Sequence, residues 1–477
     1  MPQKLVLAVI DGLTPAMLER GITDGSLPTL RLLAERGVYT HGVSTFPSVT
    51  PVCLTTIATG AGPDVHGIPH LVWYHRGERR IVEYGSSFAA VLATGLGGAV
   101  RDSVLNMSGE HLSAEATTVF EALEDEGLVT AAINFTCYRG RQRHRIRLPA
   151  VASRNRWYES VYGPRRFFFF NLYESDATGA PLAVRSRAAG SVDAYAVAVG
   201  RWLVTRDGFD FLVYYLPDYD YASHAAGPDG AGKALERADA CLASLLEAGG
   251  GPDEFLDRYA LVVCSDHGQT SVGRAARLED AFAGLRLLSP RRPRPERADV
   301  AVAASNRAGM VYRLPGCRLE ARELAELPDP EPAADVVLFR ESDVAVARRE
   351  GEELRFAPHP DGWSLQGDPA VLDTERYPLG LERAWRALAC PRAGEVIVSA
   401  ADGYEFADLG GRHHVGGGSH GSLVRGDSVV PMLAVGFEDA SSLPLSPAIT
   451  DLAPLVLSHF GVGRSASVEP PAGAHAA

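Results

Sequence analysis

The chain reads as an α/β protein: a three-layer sandwich whose mainly parallel central sheet is covered by helices on both faces and interrupted by cap-like insertions. Three observations predict this. Apolar runs of strand length alternate with amphipathic helical stretches. The runs are continuously apolar, as in strands buried on both faces. Acids stand at or just past the ends of three of them, at Asp11, Asp220 and Asp266, where open α/β sheets build their sites.

The elements follow in order. KLVLAVID is a short buried strand ending in Asp11. PAMLERGITDGSLPTLRLLAERG is helical in two pieces, broken near Gly25–Pro28. PVCLTTIATG, after Thr50, starts with Pro51 and reads as a helical turn. SAEATTVFEALEDEG, headed by Ser113, is helical and leads into the β-rich run LVTAAINF. SVDAYAVAVGRWLVTRDG is an amphipathic helix followed by the strand FDFLVYYLPD. GKALERADACLASLLEAGG is a helix with a glycine stop, followed by the strand YALVVCSD. One catalytic domain over 1–463 is expected. Two regions break the alternation: about 136–190, rich in Arg and aromatics, and about 275–395, rich in Pro and Arg. Both read as insertions that wall a site, the second alternatively as a small separate domain. Residues 464–477 read as a disordered tail.

Composition bounds the function. A 46% hydrophobic and 22% charged chain is an ordinary soluble globular protein. A net charge of −13 does not advertise nucleic-acid binding. The six cysteines form no CxxC pair, and several lie inside apolar runs, so free thiols are expected. The apolar run Leu5–Ile10 is too short for a signal-peptide core. No run approaches the roughly 18–20 apolar residues of a membrane span. A cytoplasmic location is the expectation.

Five segments carry chemistry: VIDGL around Asp11, PSVTPVCLTTIATG around Thr50, YLPDYDYASH around Asp220 and His224, VVCSDHG around Asp266 and His267, and GSHGS around His420. Together they offer six metal-ligand side chains and one hydroxyl nucleophile. That set suffices for two divalent ions of the zinc class, with Mn²⁺ or Fe as alternatives, and points to metal-assisted hydrolysis of a phosphate ester. Taken singly, each segment has a plainer reading. Thr50 is a helix cap, and DH or DxxxH is a structural pair. Thr45, Ser48, Thr55 and Thr56 compete with Thr50 on chemistry alone, and His413 and His414 compete with His420.

In their order and spacing these segments resemble the alkaline phosphatase superfamily, and within it the type I phosphodiesterase/nucleotide pyrophosphatase branch. The anchors are VIDGL, the FPSVT…ATG…HGI block, the stretch from Asp220 to Pro228, SDHG and GSHG. The resemblance implies one ion on Asp220, His224 and His420, and another on Asp11, Asp266, His267 and the Thr50 oxygen. It implies a phospho-threonine intermediate and a small phosphate-ester or nucleotide-like substrate. Phosphomonoester or phosphonate hydrolysis is the alternative, with phosphotransfer or an inactive metal-binding scaffold behind it. One departure stands out: Leu71 occupies a place where members of the branch often carry a phosphate-binding asparagine, with His70 or Asn134 as candidate substitutes and Trp73 and Tyr74 as either an aromatic wall or part of a packed hydrophobic loop. The run Arg139, Arg141, Arg143, His144, Arg145 and Arg147 is the densest basic stretch. It reads either as a second anion site or as a solvated face.

Overall fold

A computed structural model of the chain describes residues 3–146, 159–170, 173–175, 191–437, 443–444 and 446–463. The tail from 464, Arg147 and much of the first insertion lie outside the described residues.

The centre is an eight-stranded sheet. Its order is Val38–Val43, Val429–Val435, Tyr259–Cys264, Lys4–Ile10, Phe211–Leu216, Thr130–Ile133, Arg166–Phe169 and Tyr173–Ser175. Lys4–Ile10 pairs in parallel with both Phe211–Leu216 and Tyr259–Cys264. Parallel pairing continues through Thr130–Ile133 to Arg166–Phe169. Val429–Val435 and the edge strand Tyr173–Ser175 run antiparallel to their neighbours.

Side-chain alternation explains the three layers. Leu5, Leu7 and Val9 join a core with Phe211, Val213, Ala260 and Val262, covered by helices Thr50–Thr59, Val119–Asp125 and Leu452–His459. Val6, Ala8 and Ile10 face the other way with Leu212, Leu216, Leu261 and Val263. There they meet helices Pro15–Asp24, Pro28–Arg36, Val192–Val204 and Gly232–Ala248. Each fully buried Leu, Ile or Val contributes about 1.5–3 kcal/mol. Neither face is left to water, which is why the strands read as unbroken apolar runs.

The expected elements fall where the sequence places them, with one shift. Ser113 does not head its helix: Val119–Asp125 begins after Thr118. The Thr118 hydroxyl accepts the Glu121 N–H, and the Glu121 carboxylate accepts the Thr118 N–H. This reciprocal pair satisfies two end donors that Ser113 is too far away to reach.

The second break in the alternation contains a seven-stranded sheet, ordered Val300–Ser305, Ala308–Arg313, Val396–Ala400, Ala334–Glu341, Val344–Arg349, Glu352–His359 and Gly362–Gly367. All its pairings are antiparallel. One face continues the main core through Ala301, Ala303, Met310 and Leu338. The other packs Val302, Val337 and Phe339 on Leu324 and Ala325 of the helix Ala321–Glu326. Among the described residues no single helix is long and apolar enough to cross a membrane.

Candidate metal centre

Six acids and imidazoles converge beyond the carboxyl ends of the central parallel strands. Asp11 follows Lys4–Ile10, and Asp266 and His267 follow Tyr259–Cys264. Asp220 and His224 lie on the helix Asp218–Gly230, directly after Phe211–Leu216. Their separation of four residues puts both on one face of that helix. His420 arrives on the glycine-rich loop before Val429–Val435.

Three imidazoles are oriented in the same way. The Nδ1–H of His224 donates to the Gly418 carbonyl at 2.8 Å, that of His267 to Gly268 at 3.0 Å, and that of His420 to Ser48 at 2.8 Å. A carbonyl can only accept, so each Nδ1 carries a proton, and in the neutral ring each Nε2 turns a lone pair inward. This is the tautomer a metal-binding histidine needs. His267 Nε2 lies 3.3 Å from Asp11 Oδ1 and 3.4 Å from Asp266 Oδ2. His224 Nε2 lies 3.3 Å from Asp220 Oδ2, and His420 Nε2 lies 3.9 Å from Asp220 Oδ1. The His267 and His420 rings stack at 3.6 Å.

The ligand atoms of Asp11, Asp266 and His267 lie within 4.8 Å of one another, as do those of Asp220, His267 and His420. His267 thus touches both groups, and His224 flanks the second through Asp220. The residue types suit divalent ions of the zinc class. Two buried carboxylate oxygens, Asp11 Oδ1 and Asp266 Oδ2, have no hydrogen-bond partner. Leaving such oxygens dry is costly unless a cation sits against them. Burial, followed by the charges of Asp266 and Asp220, pushes Asp11 well above the usual carboxylate range. Burial also raises Asp266. Burial opposes ionisation of Asp220 too, but His224 and its neighbours hold that acid below its ordinary value. The residues therefore fit a pair of divalent ions.

Thr50 is the first residue of Thr50–Thr59, whose N-cap is Val49, and it makes no capping bond. Its hydroxyl lies 3.1 Å from His267 Nε2. Three of its rivals are tied to backbone carbonyls: Ser48 to Ser422, Thr55 to Pro51 and Thr56 to Val52. Thr45 is buried. His413 is exposed, while His414 stacks on His224 at 4.0 Å and bonds the buried Glu405.

Close approach of backbone matters at two glycines. A Cβ on Gly12, at φ +71°, would stand 2.9 Å from Asp220 Oδ1. One on Gly418 would stand 2.4 Å from the Gln269 side-chain oxygen. Several supporting residues are not evident in the sequence. The Tyr215 hydroxyl donates to Asp11 Oδ2, and the Gln269 amide donates to Asp220 Oδ1. Asn306 Nδ2 donates to His420 Nε2 at 3.0 Å. A polar residue directly after SDHG was a readable hint for Gln269. Tyr215 and Asn306 carry no local signal, because their roles exist only across the fold.

Other expectations are corrected or narrowed. Asn134 is spent on structure: its side-chain oxygen accepts the Phe170 N–H at 2.8 Å. His70 is buried, bonds the Val72 backbone and is pushed down to about 4 by burial. Of the two readings of Trp73 and Tyr74, the packed one holds: both belong to the core, and Leu71 packs against it. In the basic run Arg141, Arg143 and Arg145 are exposed, as a solvated face would have them, and several of its members pair within the chain. Arg139 pairs with Glu121, Arg141 with Glu121 and Asp125, and Arg143 donates to Ser160. His144 lies between Ser175 and the Pro164 carbonyl.

The type I phosphodiesterase/nucleotide pyrophosphatase family model matches residues 5–423. Among solved structures, phosphonoacetate hydrolase from Sinorhizobium meliloti 1021 in complex with phosphonoformate is similar at 19% identity and a TM-score of 0.58, covering 96% of each chain. Murine ectonucleotide pyrophosphatase/phosphodiesterase 5 is similar at 15% identity and a TM-score of 0.57, covering 99% of this chain and 98% of that one. Its inactive threonine-to-alanine variant in complex with AMP matches at 14% identity and a TM-score of 0.58, covering 99% of this chain and 97% of that one. No curated protein sequence matches significantly.

Proposed function

The chain belongs to the type I phosphodiesterase/nucleotide pyrophosphatase family, within the alkaline phosphatase superfamily, and is a metal-dependent hydrolase of phosphoric ester or anhydride bonds; from that premise we propose that it is a phosphodiesterase or nucleotide pyrophosphatase acting through a covalent intermediate on Thr50. The observation that carries this reading is the meeting of Thr50 Oγ1 with the inward lone pair of His267, beside two unpartnered buried carboxylate oxygens. Two divalent ions, when bound, supply charge neutralisation and lower the pKa of the hydroxyl they contact.

The chain's own residues do the rest. Asp11, Asp266 and His267 would hold one ion beside Thr50. Asp220, His224 and His420 would hold the other. Tyr215 and Gln269 fix the orientation of two of the acids. Thr50 Oγ1 gives up its proton and attacks phosphorus, the P–O bond to the leaving group breaks, and that group departs with the bonding pair and takes up a proton. Water then attacks phosphorus, the bond to Oγ1 breaks, and the threonine hydroxyl is restored. Thr50 stands at the start of a ten-residue helix, where backbone N–H groups and the helix dipole favour a phosphoryl group.

Phosphonate hydrolysis is the second reading, favoured by the fold likeness to a protein named as a phosphonoacetate hydrolase. We propose zinc as the loaded metal and the cytoplasm as the compartment. The free state of all six cysteines supports that compartment. The deciding experiment is a turnover panel on zinc-loaded protein: a bis-aryl phosphate, an aryl monophosphate, a dinucleotide and a phosphonate. Preference for the diester or dinucleotide is expected. Preference for the monoester or phosphonate would overturn the diesterase assignment.

A further inference from the structure

The sheet of the second insertion touches the metal centre at a hairpin tip. Strands Val300–Ser305 and Ala308–Arg313 pair down to Ser305 opposite Ala308, leaving Asn306 and Arg307 as a two-residue turn. Asn306 has φ 57°, a region that asparagine tolerates better than most side chains. Both turn residues are pinned. The Asn306 carbonyl accepts the Phe406 N–H at 2.7 Å, and the Arg307 N–H donates to the His420 carbonyl at 2.9 Å. The buried Arg307 guanidinium bonds Asp427 at 3.2 Å.

The Asn306 amide is 6% exposed as part of its residue and is held at both ends. Ser305 Oγ donates to its Oδ1 at 3.0 Å, and its Nδ2 donates to His420 Nε2 at 3.0 Å. The hydrogen-bond network determines which way round it lies. His420 Nδ1 faces the Ser48 carbonyl, so Nε2 carries the lone pair, and only the NH₂ end can face it. This lone pair is the one a cation on Asp220, His224 and His420 would take. A cation and an N–H cannot share it. With the lone pair taken, the anchored amide keeps its N–H groups but loses its present acceptor. A buried donor without an acceptor is costly. An anionic oxygen beside the ion restores one.

We propose that Asn306 is a phosphate-binding residue of this site: its side-chain N–H donates to a non-bridging oxygen of a phosphoryl group or of inorganic phosphate. The donor comes from the insertion rather than from the core sheet. The inference rests on the two-metal phosphoesterase reading above and names a ligand contact within it.

The test is the affinity of zinc-loaded, full-length protein for inorganic phosphate, measured by calorimetry and by product inhibition. Asn306→Gly keeps the left-handed turn and removes the amide. Asn306→Asp keeps the shape and replaces the donor with an anion. Both variants should load the same number of zinc ions as wild type. Phosphate Kd should rise roughly ten- to hundredfold in Asn306→Gly, the scale of a hydrogen bond to a charged group, and at least as far in Asn306→Asp. Unchanged phosphate affinity in both variants, with wild type loading zinc and turning over substrate, would overturn the inference alone. Loss of zinc from Asn306→Gly but not from Asn306→Asp would overturn it too, because Asn306 would then be a metal ligand through its oxygen. A wild type that takes up no zinc would remove the underlying reading together with the inference.

Discussion

Thr50 is distinguished from its hydroxyl neighbours by what its oxygen can reach. Ser48, Thr55 and Thr56 are each bound to a carbonyl, whereas Thr50 Oγ1 meets His267 Nε2 at 3.1 Å. Thr50→Ala is therefore expected to lose at least a thousandfold in kcat, about 4 kcal/mol of barrier, with zinc content and thermal stability unchanged. Thr50→Ser should retain a measurable rate, because the hydroxyl survives. An alanine variant within tenfold of wild type would reduce Thr50 to a structural residue. The ligand types were legible because aspartate and histidine beside strand ends have few roles that combine so well. Their supporting residues were not. Nothing in the neighbourhood of Tyr215 says that its hydroxyl reaches back to Asp11 across 204 positions of sequence. The same holds for Asn134, a candidate phosphate contact by sequence whose side-chain oxygen is spent on the Phe170 backbone.

The helices that follow the strands were legible as elements, because a continuous apolar run followed by a helical period admits few other readings. Their junctions were not. Val192–Val204 and Asp218–Gly230 start side by side, and their first-turn acids cap one another. Asp218 accepts the N–H groups of Val192 and Asp193 at 3.1 and 3.2 Å, and Asp193 accepts that of Asp218 at 3.2 Å. Burial, then the charge of Asp218, pushes Asp193 up to about 7 from an ordinary 3.8. A folded-state pKa above the unfolded one means that the folded state holds the proton more tightly. The corresponding stability is present below about pH 4 and is lost as pH rises through about 7. About 4 kcal/mol is at stake across that window. Asp193→Asn should mimic the protonated acid, leaving stability near wild type below about pH 4 and flattening the decline between about pH 4 and 7. Parallel melting curves of the two proteins across that range would show that Asp193 does not titrate there. The antiparallel placement of Val429–Val435 between two strands of the parallel set also escaped the sequence, since a buried strand reads alike in either direction.

For the molecule as a whole, the candidate site is a concentration of negative charge inside a chain that already carries −13. Asp11, Asp220 and Asp266 are each at most 4% exposed, and two of their oxygens lack partners. Such a cluster weakens the metal-free fold, because buried like charges repel and are poorly solvated. Bound cations reverse the sign of that interaction, so stability and metal loading are one linked quantity. Zinc at a hundredfold excess over its Kd should stabilise wild type by about 2.7 kcal/mol for each site filled, seen as a rise in Tm that a chelator abolishes. Asp266→Asn separates the two effects. It removes one charge from the crowded cluster, so the metal-free variant should melt at or above metal-free wild type. It also removes one ligand of the group Asp11, Asp266 and His267, so zinc should raise its Tm less and its zinc content should fall. The crossing of the two orders, variant above wild type without metal and below it with metal, is the signature of a site whose acids are kept for binding rather than for folding. A variant less stable than wild type under both conditions would instead make Asp266 a structural acid, supporting the turn through the Gly12 N–H that it accepts at 3.3 Å.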